Sequence, residues 1–70
     1  MDNRFVSDSE LLRFCFWTKN VFRNDLSVNG FSGSVFIYFG VNGRKTDILI
    51  KRIISLGYAK KEDGVIKVLV

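Results

Sequence analysis

The sequence predicts a small α+β protein in which helices pack against a C-terminal β-hairpin. Three observations support this class: a helix-capping motif at residues 7–10, an amphipathic segment at residues 47–56, and an Asp-Gly turn at residues 63–64 between two strand-like runs. Seventy residues suffice for one domain and not two, so we expect residues 1–70 to form a single unit. A hydrophobic fraction of 47% supplies a core and argues against disorder.

The first helix is predicted over about residues 8–22. Ser7 can accept a hydrogen bond from the backbone N–H of Glu10, whose carboxylate can reach back to Ser7, which makes a capping box. The predicted buried stripe consists of Leu11, Leu12, Cys15, Phe16 and Phe22. Phe14 and Trp17 widen this stripe beyond what one core usually needs. Either the helix is deeply buried, or these aromatic side chains meet a partner such as a second copy of the chain.

The middle of the chain is ambiguous. Residues 23–34 are predicted to form a loop, because they contain the turn pairs Asn24-Asp25, Asn29-Gly30 and Ser32-Gly33. Residues 35–39 can be a strand, favoured by their β-branched and aromatic side chains, or a short buried helix. A strand gives the order α-β-α-β-β with a three-stranded antiparallel sheet. Gly40 ends this segment, and Asn42-Gly43 marks another turn.

The last two elements are an amphipathic helix and a basic hairpin. The helix is predicted over about residues 47–56, with Thr46 or Asp47 as its N-cap and with Ile50, Ile53 and Ile54 on its inner face. Gly57 ends the helix. Residues 58–70 follow as two strands around Asp63-Gly64, a pair that suits the positive φ angles of a type I′ turn.

The excess positive charge lies in the C-terminal forty residues. The chain has eleven Lys and Arg against seven Asp and Glu, a net charge of +4. Residues 1–30 hold four of each sign, so residues 31–70 hold seven basic residues against three acidic ones. Such asymmetry is typical of proteins that bind nucleic acid or another polyanion, although small domains also carry it for solubility alone.

The composition argues against an enzyme. There is no histidine and only one cysteine, Cys15, which excludes a zinc site of the usual Cys/His type, a Ser-His-Asp triad and an internal disulfide. The adjacent carboxylates of Glu62 and Asp63 belong to the hairpin tip. We therefore expect a non-catalytic protein without metal or cofactor. The chain shows no signal peptide and no apolar run that could span a membrane, so a cytoplasmic location without membrane association is expected.

The C-terminal half resembles a known DNA-binding family. The residues that carry the resemblance are Phe39-Gly40-Val41-Asn42-Gly43-Arg44-Lys45-Thr46 and then Ile50-Lys51-Arg52-Ile53-Ile54-Ser55-Leu56-Gly57-Tyr58. Over residues 31–70 the chain is similar to the winged helix-turn-helix of transcription regulators and replication proteins. In that family an apolar residue, Gly and Val join two helices, and a Leu-Gly-Tyr-like sequence precedes the wing. Two departures are Phe36, where the family has a small residue at the helix crossing, and Gly43, which is expected to lengthen the turn by one residue.

The resemblance implies a small regulator that binds duplex DNA through a recognition helix at about residues 47–56 and a basic wing at residues 58–70. The implied contacts are Asn42, Arg44, Lys45, Thr46, Lys51, Arg52, Lys60, Lys61 and Lys67. Arg44 would read guanine or bind phosphate, Asn42 would read adenine, and Thr46 would bind a phosphate at the helix start. The resemblance also implies a possible homodimer through Phe14 and Trp17 of the first helix. The short chain suggests a viral or other mobile element.

Three alternatives remain at the level of sequence. The chain could bind or inhibit another protein through an aromatic surface that includes Trp17 and Tyr38; a strand at residues 35–39 favours this reading and a helix there favours DNA. The chain also loosely resembles the start of the phosphopeptide-binding domains of DNA-repair proteins. Those domains have a parallel sheet, which does not require an Asp-Gly hairpin, so the hairpin argues against this alternative. RNA binding would use Tyr38 and Tyr58 for stacking on bases.

Overall fold

The computed structural model describes residues 6–22 and 25–70. Its elements are α1 (Asp8–Val21), β1 (Leu26–Ser27), α2 (Val28–Phe39), α3 (Gly43–Ser55), β2 (Ala59–Glu62) and β3 (Val65–Val68). The three strands form an open antiparallel sheet in the order β1-β3-β2. The predicted α+β class is therefore confirmed. None of the helices within the described ranges has the length and apolar character needed to cross a membrane.

Helix α1 begins where the sequence predicts. The Ser7 hydroxyl accepts a hydrogen bond from the Glu10 N–H at 3.2 Å, and the Glu10 carboxylate accepts one from the Ser7 N–H at 3.4 Å. The buried face consists of Leu11, Phe14, Cys15 and Thr18. The prediction that Phe16 belongs to this face was wrong, because successive residues turn by about 100° around a helix and Phe16 emerges on the far side, 47% exposed.

Residues 26 and 27 form β1 and residues 28–39 form a helix, so the predicted loop over residues 23–34 was wrong from residue 26 onward, and the alternative order α-β-α-β-β was wrong as well. Residues 23 and 24 lie outside the described ranges. The Ser27 hydroxyl caps α2 by accepting a hydrogen bond from the Gly30 N–H at 3.1 Å. Phe31, Val35 and Phe39 then recur at intervals of four on the buried face. Their burial offsets the roughly 1 kcal/mol by which a glycine weakens a helix interior.

The connection between α2 and α3 is shorter than the sequence suggested. Gly40 ends α2 with a positive φ of 65°, and Val41 is buried. Asn42 then caps α3, since its side-chain oxygen accepts a hydrogen bond from the Lys45 N–H at 2.8 Å. The helix therefore begins at Gly43, and the prediction of Thr46 or Asp47 as N-cap was wrong. Gly43 belongs to the helix and does not lengthen the turn, which comprises residues 40–42.

The C-terminal hairpin is confirmed. Gly57 has a positive φ of 80° and ends α3, as predicted. Asp63 and Gly64 have φ values of 52° and 77°, the left-handed conformation that both central residues of a type I′ turn require. Lys60 lies opposite Lys67 in the resulting ladder. Strand β1 is an edge strand of the sheet that the sequence did not predict. It pairs with β3, and Leu26 lies opposite Ile66.

Phe14 lies at the centre of the core. Its ring centroid is 5.4 Å from that of Phe31, 5.1 Å from that of Tyr38 and 5.4 Å from that of Phe39. The prediction that Phe14 takes part in a dimer face was therefore wrong, since the side chain is fully buried. Cys15 is also buried, as predicted, and burial raises the pKa of its thiol to about 11.

Phe36 does not fill the crossing between α2 and α3. The side chain is 52% exposed. It lines an open groove between the two helices together with Gly33 and Gly43. A bulky residue at position 36 is thus no obstacle to the packing of these helices. The three helices and the small sheet are compatible with a winged-helix fold.

Candidate nucleic-acid interface

The outer face of α3 is mostly polar and carries two cations. Thr46, Leu49, Ile50 and Ile53 are buried against the core. Arg44, Ile48 and Lys51 are exposed and recur at intervals of four and three, so they form one stripe along the opposite side. Arg44 and Lys51 are seven residues apart, which places them about 10 Å apart along the helix axis. The stripe therefore presents cations two helical turns apart.

The cations of α3 differ in their ion pairs and hydrogen bonds. Arg44, Lys45 and Lys51 make no ion pair with residues 6–22 or 25–70. Arg52, by contrast, donates a hydrogen bond to the Val6 carbonyl at 2.7 Å and forms an ion pair with Asp8. The guanidinium of Arg52 joins α3 to the beginning of α1. We therefore leave Arg52 out of the candidate interface.

The first turn of α3 differs from its predicted role. The side-chain oxygen of Asn42 is occupied by the capping hydrogen bond to Lys45, so a bidentate contact of Asn42 with adenine would require breaking the cap. Thr46 is 4% exposed. A buried hydroxyl cannot reach a phosphate, and Thr46 is therefore also left out of the interface.

We expect Thr46→Val to stabilise the protein by about 1 kcal/mol. Among the described residues the Thr46 hydroxyl oxygen has no hydrogen-bond partner, and a buried polar group without a partner carries an uncompensated desolvation cost. Chemical denaturation followed by circular dichroism measures the change. Thr18→Val is the matched control, because the buried Thr18 hydroxyl donates to the Cys15 carbonyl at 2.8 Å and its loss should destabilise. Destabilisation by both substitutions would show that the Thr46 hydroxyl has a partner after all.

The hairpin carries three lysines, two of which share a carboxylate. Lys67 and Lys60 approach opposite oxygens of Glu62, at 2.9 Å and 3.1 Å. The hydrogen bonds from Lys67 and Lys60 lower the pKa of Glu62, and the bond to Glu62 raises the pKa of Lys67. This face of the hairpin keeps one net positive charge. Lys61 is exposed and forms no ion pair within the described residues.

The fold brings the two basic elements next to each other. Helix α3 packs directly against β2, with Ile53 and Ala59 buried in the same core. Of the nine predicted contact residues, the structure leaves six as exposed or half-exposed cations on these two elements. They are Arg44, Lys45, Lys51, Lys60, Lys61 and Lys67.

Sequence reasoning missed Ile48. This side chain is 48% exposed and lies between Arg44 and Lys51 on the outer stripe of α3. The available signal was its spacing, four residues after Arg44 and three before Lys51. That signal was missed because the helix was predicted to begin at residue 47, which left Arg44 outside it.

Comparisons with protein-family models, with curated proteins and with solved structures found no match to this chain. Across the part of the chain that the structure describes, no three potential metal ligands cluster together. The candidate interface is therefore identified only from the positions and charges of its own residues.

Proposed function

We propose that this protein binds duplex DNA without catalysis, as a small winged-helix regulator of transcription or replication. Helices α2 and α3 form its helix-turn-helix, α3 is the recognition helix, and the β2–β3 hairpin is the wing. One observation carries the proposal: a three-residue turn at residues 40–42 leads into a helix whose outer face holds cations with no ion-pair partner among the described residues, and a basic hairpin follows that helix directly.

The dimensions of α3 suit the major groove. The helix has 13 residues, which gives a length of about 20 Å. The major groove of B-form DNA is about 12 Å wide and admits one helix. In this arrangement the guanidinium of Arg44 can contact guanine or phosphate, while Lys45 and Lys51 contact the phosphate backbone. Lys60, Lys61 and Lys67 bind phosphates from the wing.

Ile48 adds an apolar contact at the centre of the recognition face. In the major groove only thymine presents a methyl group. An exposed isoleucine between two cations therefore favours sites with a thymine at the centre of the contacted bases. This contact supplies sequence preference, whereas the cations supply most of the affinity.

Fluorescence anisotropy of a labelled random duplex, titrated with the protein at several salt concentrations, tests the function. Four to six phosphate contacts should give a log–log salt dependence with a slope of about −4 to −5. The absence of binding at low salt would refute the proposal and would direct attention to a protein partner.

The double variant Arg44→Ala/Lys51→Ala should bind the duplex about 10- to 100-fold more weakly than the wild type, with a salt slope shallower by about 2. The matched control is Arg13→Ala/Lys19→Ala, which removes the same charge from the exposed surface of α1. The control should lose much less affinity, because α1 lies outside the interface. Equal losses in the two variants would show that only net charge matters and would refute the assigned site. Circular dichroism should show both variants folded.

A further inference from the structure

Helices α1 and α2 expose a set of large apolar side chains. We call it the apolar band, and it consists of Phe16, Trp17, Val21, Phe36, Ile37 and Tyr38, with exposures from 36% for Trp17 to 78% for Ile37. The rings of Trp17 and Tyr38 lie 5.1 Å apart and connect the two helices. Phe16 and Val21 flank Trp17 on α1, and Phe36 and Ile37 precede Tyr38 on α2.

The band has the size of one side of a dimer interface. Aromatic side chains contribute about 150–250 Å² each and Val or Ile about 100 Å², so the exposed fractions sum to roughly 500 Å². A standard interface takes about 800 Å² from each partner, and about 65% of a homodimer interface is apolar, which requires roughly 500 Å². The band meets this requirement without further rearrangement. It also reaches the upper end of the apolar patches seen on monomers.

The charge distribution favours a second copy as the occupant. Two copies with a net charge of +4 each repel one another, and this repulsion is weakest when no like charges meet at the contact. Helix α2 contains no Asp, Glu, Lys or Arg in its twelve residues, which is unusual for a helix with a solvent-facing side. Arg13 lies one turn before Trp17 on α1 and is exposed. Two copies can therefore meet at α2 without bringing like charges together.

We propose that the apolar band is the interface of a homodimer, with α2 packed against α2 of a second copy and Trp17 and Tyr38 buried at the contact. Such an interface is self-complementary, because the same side chains face each other across a two-fold axis. The band shares no residue with the cationic face of α3 or with the hairpin. This inference therefore holds independently of DNA binding.

Sedimentation equilibrium of the full chain over micromolar to millimolar concentrations tests the dimer. The chain mass is 8.0 kDa, so a dimer has twice that mass. The emission of Trp17, the single tryptophan, should shift to shorter wavelength as concentration rises and water leaves the indole. A wild-type protein that stays at the monomer mass throughout would overturn the proposal and assign the band to a different partner.

A charge placed on the band should abolish the dimer. Ile37→Lys should weaken association at least 100-fold and remove the concentration dependence of the Trp17 emission, while circular dichroism stays unchanged because Ile37 is 78% exposed. Ile48→Lys is the control, since it places the same charge on an exposed isoleucine of α3 outside the band. Dimerisation of Ile37→Lys with wild-type affinity, or equal weakening by Ile48→Lys, would overturn the assignment of the interface.

Discussion

Phe14→Ala is expected to remove half or more of the free energy of unfolding. Phe14 is fully buried, and its ring contacts those of Trp17, Phe31, Tyr38 and Phe39. Replacing a buried phenylalanine by alanine costs about 3–5 kcal/mol, because apolar contacts are lost and a cavity remains. Native proteins of this length are stable by roughly 4–10 kcal/mol in total. The cost of this one substitution is therefore comparable to the stability of the whole protein.

Urea unfolding followed by far-ultraviolet circular dichroism measures the effect, at a protein concentration low enough to keep the chain monomeric. Phe16→Ala is the matched control, because Phe16 belongs to the same helix and is 47% exposed. We expect Phe16→Ala to cost less than about 1 kcal/mol. Similar losses for the two variants would contradict the orientation of α1 in this fold.

The orientation of α1 could not be predicted from its sequence. Residues 11–17 contain six apolar side chains in seven positions, so the 3.6-residue period does not single out one face. Phe14 and Phe16 are equivalent by type, and only the packing of α2 against α1 distinguishes them. The phase of the helix is set by the cluster of Phe14, Phe31 and Phe39, whose members are distant in the chain.

The features that the sequence predicted correctly depend on local interactions. The capping box joins Ser7 to Glu10, and the turn at Asp63-Gly64 depends on the φ angles of those two residues alone. The limits of α2 depend instead on burial against other elements. Its turn pairs Asn29-Gly30 and Ser32-Gly33 predicted a loop, but the energy gained by burying one side of the helix outweighs this local preference. Strand β1 has only two residues, too few to show any period.

The sequence predicted all six cations of the candidate interface but could not separate them from the three predicted residues that do not belong to it. It placed seven of the eleven Lys and Arg residues in residues 31–70, and those seven include the six cations of the candidate interface. It could not show that Arg52 pairs with Asp8, because 44 positions separate the two residues. It also could not show that Thr46 is buried, since the start of α3 was placed too late. Long-range pairing and helix phase thus determine which charges are available to a partner.

The two neighbouring cations Lys51 and Arg52 should therefore have opposite roles. Arg52→Met should lower the free energy of unfolding by about 2 kcal/mol, because Arg52 donates a charged hydrogen bond to the Val6 carbonyl and pairs with Asp8. Methionine keeps much of the aliphatic stem of this half-buried side chain but removes both polar contacts. DNA affinity of the folded protein should change only slightly. Urea unfolding and duplex anisotropy, performed on the same preparation, measure the two effects.

Lys51→Met removes the same charge one residue earlier and serves as the counterpart. Lys51 is exposed and forms no ion pair with the described residues, so its loss should leave stability within about 0.5 kcal/mol of the wild type. Duplex affinity should fall several-fold, and the salt slope should become shallower by about 1. If Arg52→Met instead weakened DNA binding as much as Lys51→Met while leaving stability intact, Arg52 would belong to the interface. The contact that joins α3 to the start of α1 would then be dispensable, and the DNA-facing side of α3 would extend around to that end of α1.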